Sequence, residues 1–264
     1  MNYTKLFWRV GGSLVAMFLL GTGLLQLLGL LAYNTQQIDE RIEIAERVGP
    51  EALSAVQVSV ESGTVEIVGV RSSAITVTGK VTSGLLDTTH RESAQGDRYV
   101  IEASCPDGPA SNHCDATYRI EVPDDLEVVV TSDNTDVTVR DLRGRVDVRT
   151  SNSPIRAENL TGTVSLETSN DVIDATALGS MITLLRTSND RVRAEFVEAP
   201  RTVDIVSSND NVAVVVPDTS ASYAVDVRTS NGGQFIDIRA DPTSERSIRA
   251  HTSNADVEIS YPRS

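Results

Sequence analysis

Aromatic residues are scarce, at 4% of the 264 residues. A core made without them must be aliphatic, and Val, Ile, Leu and Ala favour strands over an aromatic-walled groove. Lysine is nearly missing: Lys5 and Lys80 are the two present, and the remaining basic side chains are arginines. The formal net charge of -14 leaves no basic face for a phosphate backbone, which excludes nucleic acid as a partner. It also disfavours docking flat on an anionic lipid surface. The three histidines, His90, His113 and His251, lie in no motif. There is no Gly-x-Ser-x-Gly elbow, no His-Glu-x-x-His pair and no phosphate-cradling glycine loop. A non-enzyme is therefore expected, with no catalytic residues, no cofactor and no metal.

One long apolar run stands against these absences. Val10 to Tyr33 carries no charge, and about 20 apolar helical residues cross a bilayer. The run is too long for the apolar part of a cleaved signal peptide, and no small-residue cleavage pattern follows it. Lys5 and Arg9 precede it, whereas Asp39, Glu40, Glu43 and Glu46 follow it. The positive-inside rule then gives a cytoplasmic stub over 1–9, a transmembrane signal anchor over 10–33 and a charged stalk over 34–50. Everything beyond lies outside the cell membrane. Cys105 and Cys114 would be exported, and turn residues fill the gap between them. They are expected to form a disulfide that closes a hairpin loop. A zinc site would need more ligands than the neighbouring His113 supplies.

The dominant internal feature is a recurring tripeptide. Thr-Ser-Asn or Ser-Ser-Asn begins at Thr150, Thr168, Thr187, Ser207, Thr229 and Thr252, and Thr131-Ser132-Asp133 reads as a variant copy. The spacings are 19, 18, 19, 20, 22 and 23 residues, a period that marks a solenoid. Aliphatic residues recur two and four positions before each copy and three and five positions after its Asn. Polar residues stand between them. Each unit is thus a strand, a turn and a second strand, with one face of each strand buried. A second turn closes several units, at 141–144, 160–162 and 178–180. The fold class expected is an all-β, parallel β-solenoid of roughly 19-residue, two-strand coils over 127–264. A β-rich region over 51–126, containing the disulfide hairpin and a polar loop over 86–97, precedes it.

The asparagines Asn152, Asn170, Asn189, Asn209, Asn231 and Asn254 are read as a structural turn ladder. Asn tolerates the left-handed backbone of a tight turn, and stacked Asn side chains can bond from coil to coil. Thr and Ser beside them can bond neighbouring backbone groups. Just before the tripeptide, Arg149, Glu167 and Arg186 form a row of alternating charge. Just after it, Asp171, Asp190 and Asp210 form an acidic row. That row suits a calcium-binding edge or a solvated face. It lacks the glycine-rich signature of calcium-binding roll repeats, so no metal is assigned. The Asn159-Leu160-Thr161 acceptor sequence is given no role.

The apolar N-terminal run, SGTVEIVG at 62–69, the cysteine hairpin leading into YRIEVPDDLEV at 118–128 and the repeated V-x-V-x-T-S-N units resemble the bacterial putative-adhesin family of β-strand-repeat domains of unknown function. The resemblance covers roughly residues 54–260. It implies a membrane-tethered β-solenoid that works as a non-catalytic cell-surface binding module, with an extracellular or envelope protein or glycan as partner. The alternative is an envelope-regulatory or structural subunit that pairs with another membrane protein.

Overall fold

The structure, a computed structural model, describes residues 22–27, 53–82, 88–105 and 114–263. The expected cytoplasmic stub and stalk lie outside the described residues, as does the expected transmembrane helix except for a helical segment over 22–27. Among the described residues no helix is long and apolar enough to cross a membrane.

The rest is all-β. Strands pair in parallel, coil upon coil, around a single aliphatic interior, as the period of the repeat requires. Two long strands, β1 (Ala55–Val70) and β6 (Glu127–Leu142), each run through a complete coil and pair in parallel from Ala55↔Glu127 to Val68↔Arg140. Between them in sequence come β2 (Thr76–Thr82), β3 (Thr89–Gln95), β4 (Arg98–Ser104) and β5 (Asp115–Pro123). β4 pairs in parallel with the first half of β1 and β5 with its second half. β4 and β5 are therefore the two halves of one coil stacked on the outer side of β1. They are not the two arms of the expected hairpin. The segment expected as a polar loop contains β3, which runs antiparallel to β4, while β2 runs antiparallel to β5. These two strands close that end of the solenoid. The β-rich region and the repeats thus share one continuous stack.

After β6 each coil contributes two strands. They are β7 (Val146–Arg149) with β8 (Ile155–Leu160), β9 (Val164–Glu167) with β10 (Ile173–Leu178), β11 (Ile182–Arg186) with β12 (Val192–Phe196), and β13 (Thr202–Val206) with β14 (Val212–Val215). The chain then leaves sequence order. The coil of β15 (Ala224–Arg228) and β16 (Gln234–Asp237) does not stack on β13 and β14. The last coil, β17 (Ser247–His251) and β18 (Val257–Ser260), takes that place, and β15 and β16 lie outside it.

Burial accounts for this order. Ile248, Ala250, Val257 and Ile259 of the inserted coil are fully buried, whereas the outermost coil carries the less apolar Gln234 at an inward position. Each fully buried Val or Ile contributes about 1.5–3 kcal/mol, so the more aliphatic coil gains most from having a neighbour on both sides.

Candidate functional site

The tripeptide builds one corner of each coil from β6 onward, and the structure shows what its positions do. Thr168, Thr187, Ser207 and Thr252 are buried. Their hydroxyls donate to the backbone carbonyls of Ser153, Asp171, Asp190 and Asp210 at 3.2, 3.0, 2.9 and 3.0 Å. Each acceptor is the residue after the Asn in the adjacent coil, so the hydroxyl satisfies a corner carbonyl that the strand ladders leave over. The asparagine side chains form a continuous amide ladder. Asn152 donates to Asn134 at 3.0 Å, Asn170 to Asn152 at 2.7 Å and Asn189 to Asn170 at 2.6 Å. Asn209 donates to Asn189 at 2.9 Å, Asn254 to Asn209 at 2.8 Å and Asn231 to Asn254 at 2.9 Å. All six donate in the same direction along the stack, and the last two links follow the inverted coil order.

Two expectations are corrected here. The variant copy is Ser132-Asp133-Asn134, one residue later than Thr131-Ser132-Asp133. Thr131 pairs with Arg149, so Ser132, Asp133 and Asn134 align with Thr150, Ser151 and Asn152. Val137, three beyond Asn134, pairs with Ile155 in the same inward column. The second correction concerns backbone strain. None of the ladder asparagines has a positive φ; Asp141, Asn159 and Ala177 do, at 61°, 53° and 52°. These residues belong to the opposite corner. Strand alternation would turn them inward after Val139, Ala157 and Ala175. The left-handed residue interrupts the alternation, as in a bulge, and the next side chain, Leu142, Leu160 or Leu178, enters the core fully buried. Asn159 also donates to the Asp141 carboxylate at 2.7 Å. Gly162 follows within this corner, where a Cβ would stand 1.9 Å from the Gly144 carbonyl oxygen. Only glycine permits so close a stack.

Cys105 and Cys114 are joined by a disulfide with their Cα atoms 5.5 Å apart. The bridge spans the corner between β4 and β5, the place the tripeptide fills in other coils. In the adjoining coil Gly63 has φ 137°, and a Cβ there would lie 2.0 Å from the Ala116 carbonyl oxygen. Sequence reasoning passed over His90. Its Nδ1 lies 2.6 Å from the Tyr118 hydroxyl and its Nε2 3.1 Å from Glu92, whose other oxygen accepts from the Tyr99 hydroxyl at 2.5 Å. Tyr99 and Tyr118 are buried. The cluster plugs the closed end of the interior with polar groups that satisfy one another. The alternation of His90 and Glu92 with exposed neighbours was the available signal, hidden because both are polar.

The charged rows divide. Arg149 and Glu167 form an ion pair at 3.7 Å. In the acidic row, Asp171, Asp190 and Asp210 each accept from the backbone N–H of the following residue, at 2.7, 2.7 and 2.6 Å. Each carboxylate is turned to its own turn. Among the described residues no three His, Cys, Asp or Glu side chains are placed to hold a metal ion.

The concave feature with a clear origin lies on the outer face of the even-numbered strands from β8 onward. β14 carries Ala213 and Val215 at outward positions, whereas β12 carries Arg193 and Glu195 there and β18 carries Glu258 and Ser260. Short side chains between long ones leave a groove of about 790 Å³, with Val197 at one side and Tyr261 at the other. Its walls hold paired charges. Arg193 bonds Glu195, and Arg263 bonds Glu258 at 2.7 Å. Hydrogen bonding to Glu195 raises the Arg193 pKa. The arrangement offers an apolar floor and charged rims, which suits binding. The signal was the uncharged VAVV run, 212–215, among coils that carry charge at these positions.

Comparison with known proteins gives distant likenesses. No family model matches the chain, and no curated protein matches it. Among solved structures, a putative cell adhesion protein from Clostridium sporogenes is similar with a TM-score of 0.34 and 10% identity, covering 84% of this chain and 100% of that one. A putative lipid binding protein from Parabacteroides distasonis is similar with a TM-score of 0.26 and 10% identity, covering 87% and 98%. Likeness at this level carries no argument about what the chain binds.

Proposed function

We propose that this chain is a non-catalytic, adhesin-like binding module that presents the groove on its even-numbered face to an extracellular or envelope partner, a protein or a glycan. The groove itself supports this reading. Its floor is made where one strand exchanges charged outward residues for Ala213 and Val215, a substitution the solenoid does not need for packing because both side chains point out. The parallel stack behind it supplies a rigid base. The apolar run over 10–33 supports display from the cell membrane, with the N-terminus cytoplasmic and the solenoid outside.

The test fills the groove. Ala213→Arg should leave the unfolding midpoint unchanged and reduce adhesion of cells bearing the full chain, scored against immobilised cell-wall polysaccharide and against matrix protein. Unaltered adhesion to whichever surface the natural chain binds would move the site elsewhere. Protease added to intact cells should remove a C-terminal tag. A tag protected until lysis would refute the outward topology.

A further inference from the structure

We propose that the open coil at the C-terminal end of the stack is the surface through which two copies of this chain associate, tail to tail. Among the described residues β15 pairs along its length only with β17, and β16 only with β18. Among these residues no strand pairs with the outer edge of either one. The interior is uncovered at the same place. Ile236 faces inward in register with Ile259, yet it is 44% exposed where Ile259 is fully buried. Phe235, beside it, is 60% exposed.

An exposed strand edge is completed by another strand edge. Here two edges lie on opposite sheets of one coil, so the occupant must offer two edges at the same separation together with an apolar end. The other end of the solenoid does not. Its outermost strands, β2 and β3, run antiparallel to their coil, and the His90–Glu92–Tyr99–Tyr118 cluster fills the interior with polar groups. The same C-terminal coil of a second copy does meet the requirement. A two-fold axis between the copies sets each edge antiparallel to its counterpart, an isologous contact that closes at two and leaves no end for growth. Charge agrees with this pairing. With Val227 on the axis, Asp226 of each copy faces Arg228 of the other.

The experiment is the mass of the full chain in detergent solution over a range of concentrations, by sedimentation or light scattering. The natural chain should reach a plateau at two 28.4 kDa chains. Ile236→Lys puts charge on the uncovered end, and Arg228→Asp sets carboxylates opposite one another. Each should return the mass to one chain with an unchanged circular dichroism spectrum. A natural chain that stays single, a mass that climbs without a plateau, or a dimer kept by both variants would overturn the proposal.

Discussion

The Arg249 guanidinium lies 3.1 Å from the Asp204 carboxylate, across 45 residues of sequence, and its Nε is 3.8 Å from Asp226. The three residues share one outward column, in the order Asp204, Arg249, Asp226. Stacking in sequence order would set the two aspartates side by side. Two carboxylates at strand spacing repel by about 1 kcal/mol even in water, and an exposed ion pair contributes about 0.2–1 kcal/mol. The alternation therefore favours the inverted order already preferred by burial.

It follows that Arg249→Glu, which puts three carboxylates in one column, should lower stability by about 1–2 kcal/mol. Arg249→Met should cost less, because it removes the attraction without adding charge. Urea unfolding midpoints compare the two. Equal losses would show that the column does not sense charge.

The ladder leads to a second ranking. Asn170 donates to Asn152 and accepts from Asn189, and its φ is not positive. A net contribution of about 0.5–1.5 kcal/mol per hydrogen bond puts the loss for Asn170→Ala at about 1–3 kcal/mol. Glycine has no strained backbone to relieve here and adds unfolded-state entropy, so Asn170→Gly should be no better than alanine. A glycine variant more stable than the alanine variant would restore a backbone role for this asparagine.

At the opposite corner the expectation reverses. Ala177 is a non-glycine residue in the left-handed region with φ 52°, a conformation that costs an L-residue about 1–2 kcal/mol. Ala177→Gly should raise stability by about 0.5–1 kcal/mol. Asn159→Gly should not, because it also loses the bond to Asp141. Thermal unfolding of the two variants separates relief of strain from loss of a contact.

How far these features were legible depends on what repeats. The coil, its inward columns and the Asn stack recur at a fixed period, so alternation and spacing revealed them. Coil order is different. Val203, Val225 and Ile248 are interchangeable as core residues, and the hints at an inversion were the inward Gln234 and the outward sequence Asp204, Asp226, Arg249, with its adjacent like charges. The left-handed positions were obscured because Asp141, Asn159 and Ala177 differ in type, while the invariant Asn looked like the turn former. β3 was hidden by inward polar residues that pair only in three dimensions. The groove lay in the missing charges of β14, which a search for catalytic residues does not weigh.

The last expectation concerns acid. Glu66 on β1 binds Arg119 of β5 at 2.5 Å and Arg140 of β6 at 2.7 Å, so one carboxylate ties three successive coils. Burial pushes its pKa up, but the hydrogen bonds and charges of the two guanidiniums outweigh that and hold it below the ordinary glutamate value. A depressed acid binds its proton more weakly in the folded chain than in the unfolded one. Its stabilisation is therefore complete above the unfolded glutamate pKa and is lost as pH falls through the lower folded value. Glu66→Gln removes the charge at every pH. The variant should be less stable than the natural chain at neutral pH, and the gap should narrow as pH falls below the usual glutamate range. Denaturant midpoints measured from pH 7 down to about pH 3 would show this convergence. A gap that stays constant across the range would mean that the pair acts by packing rather than by charge.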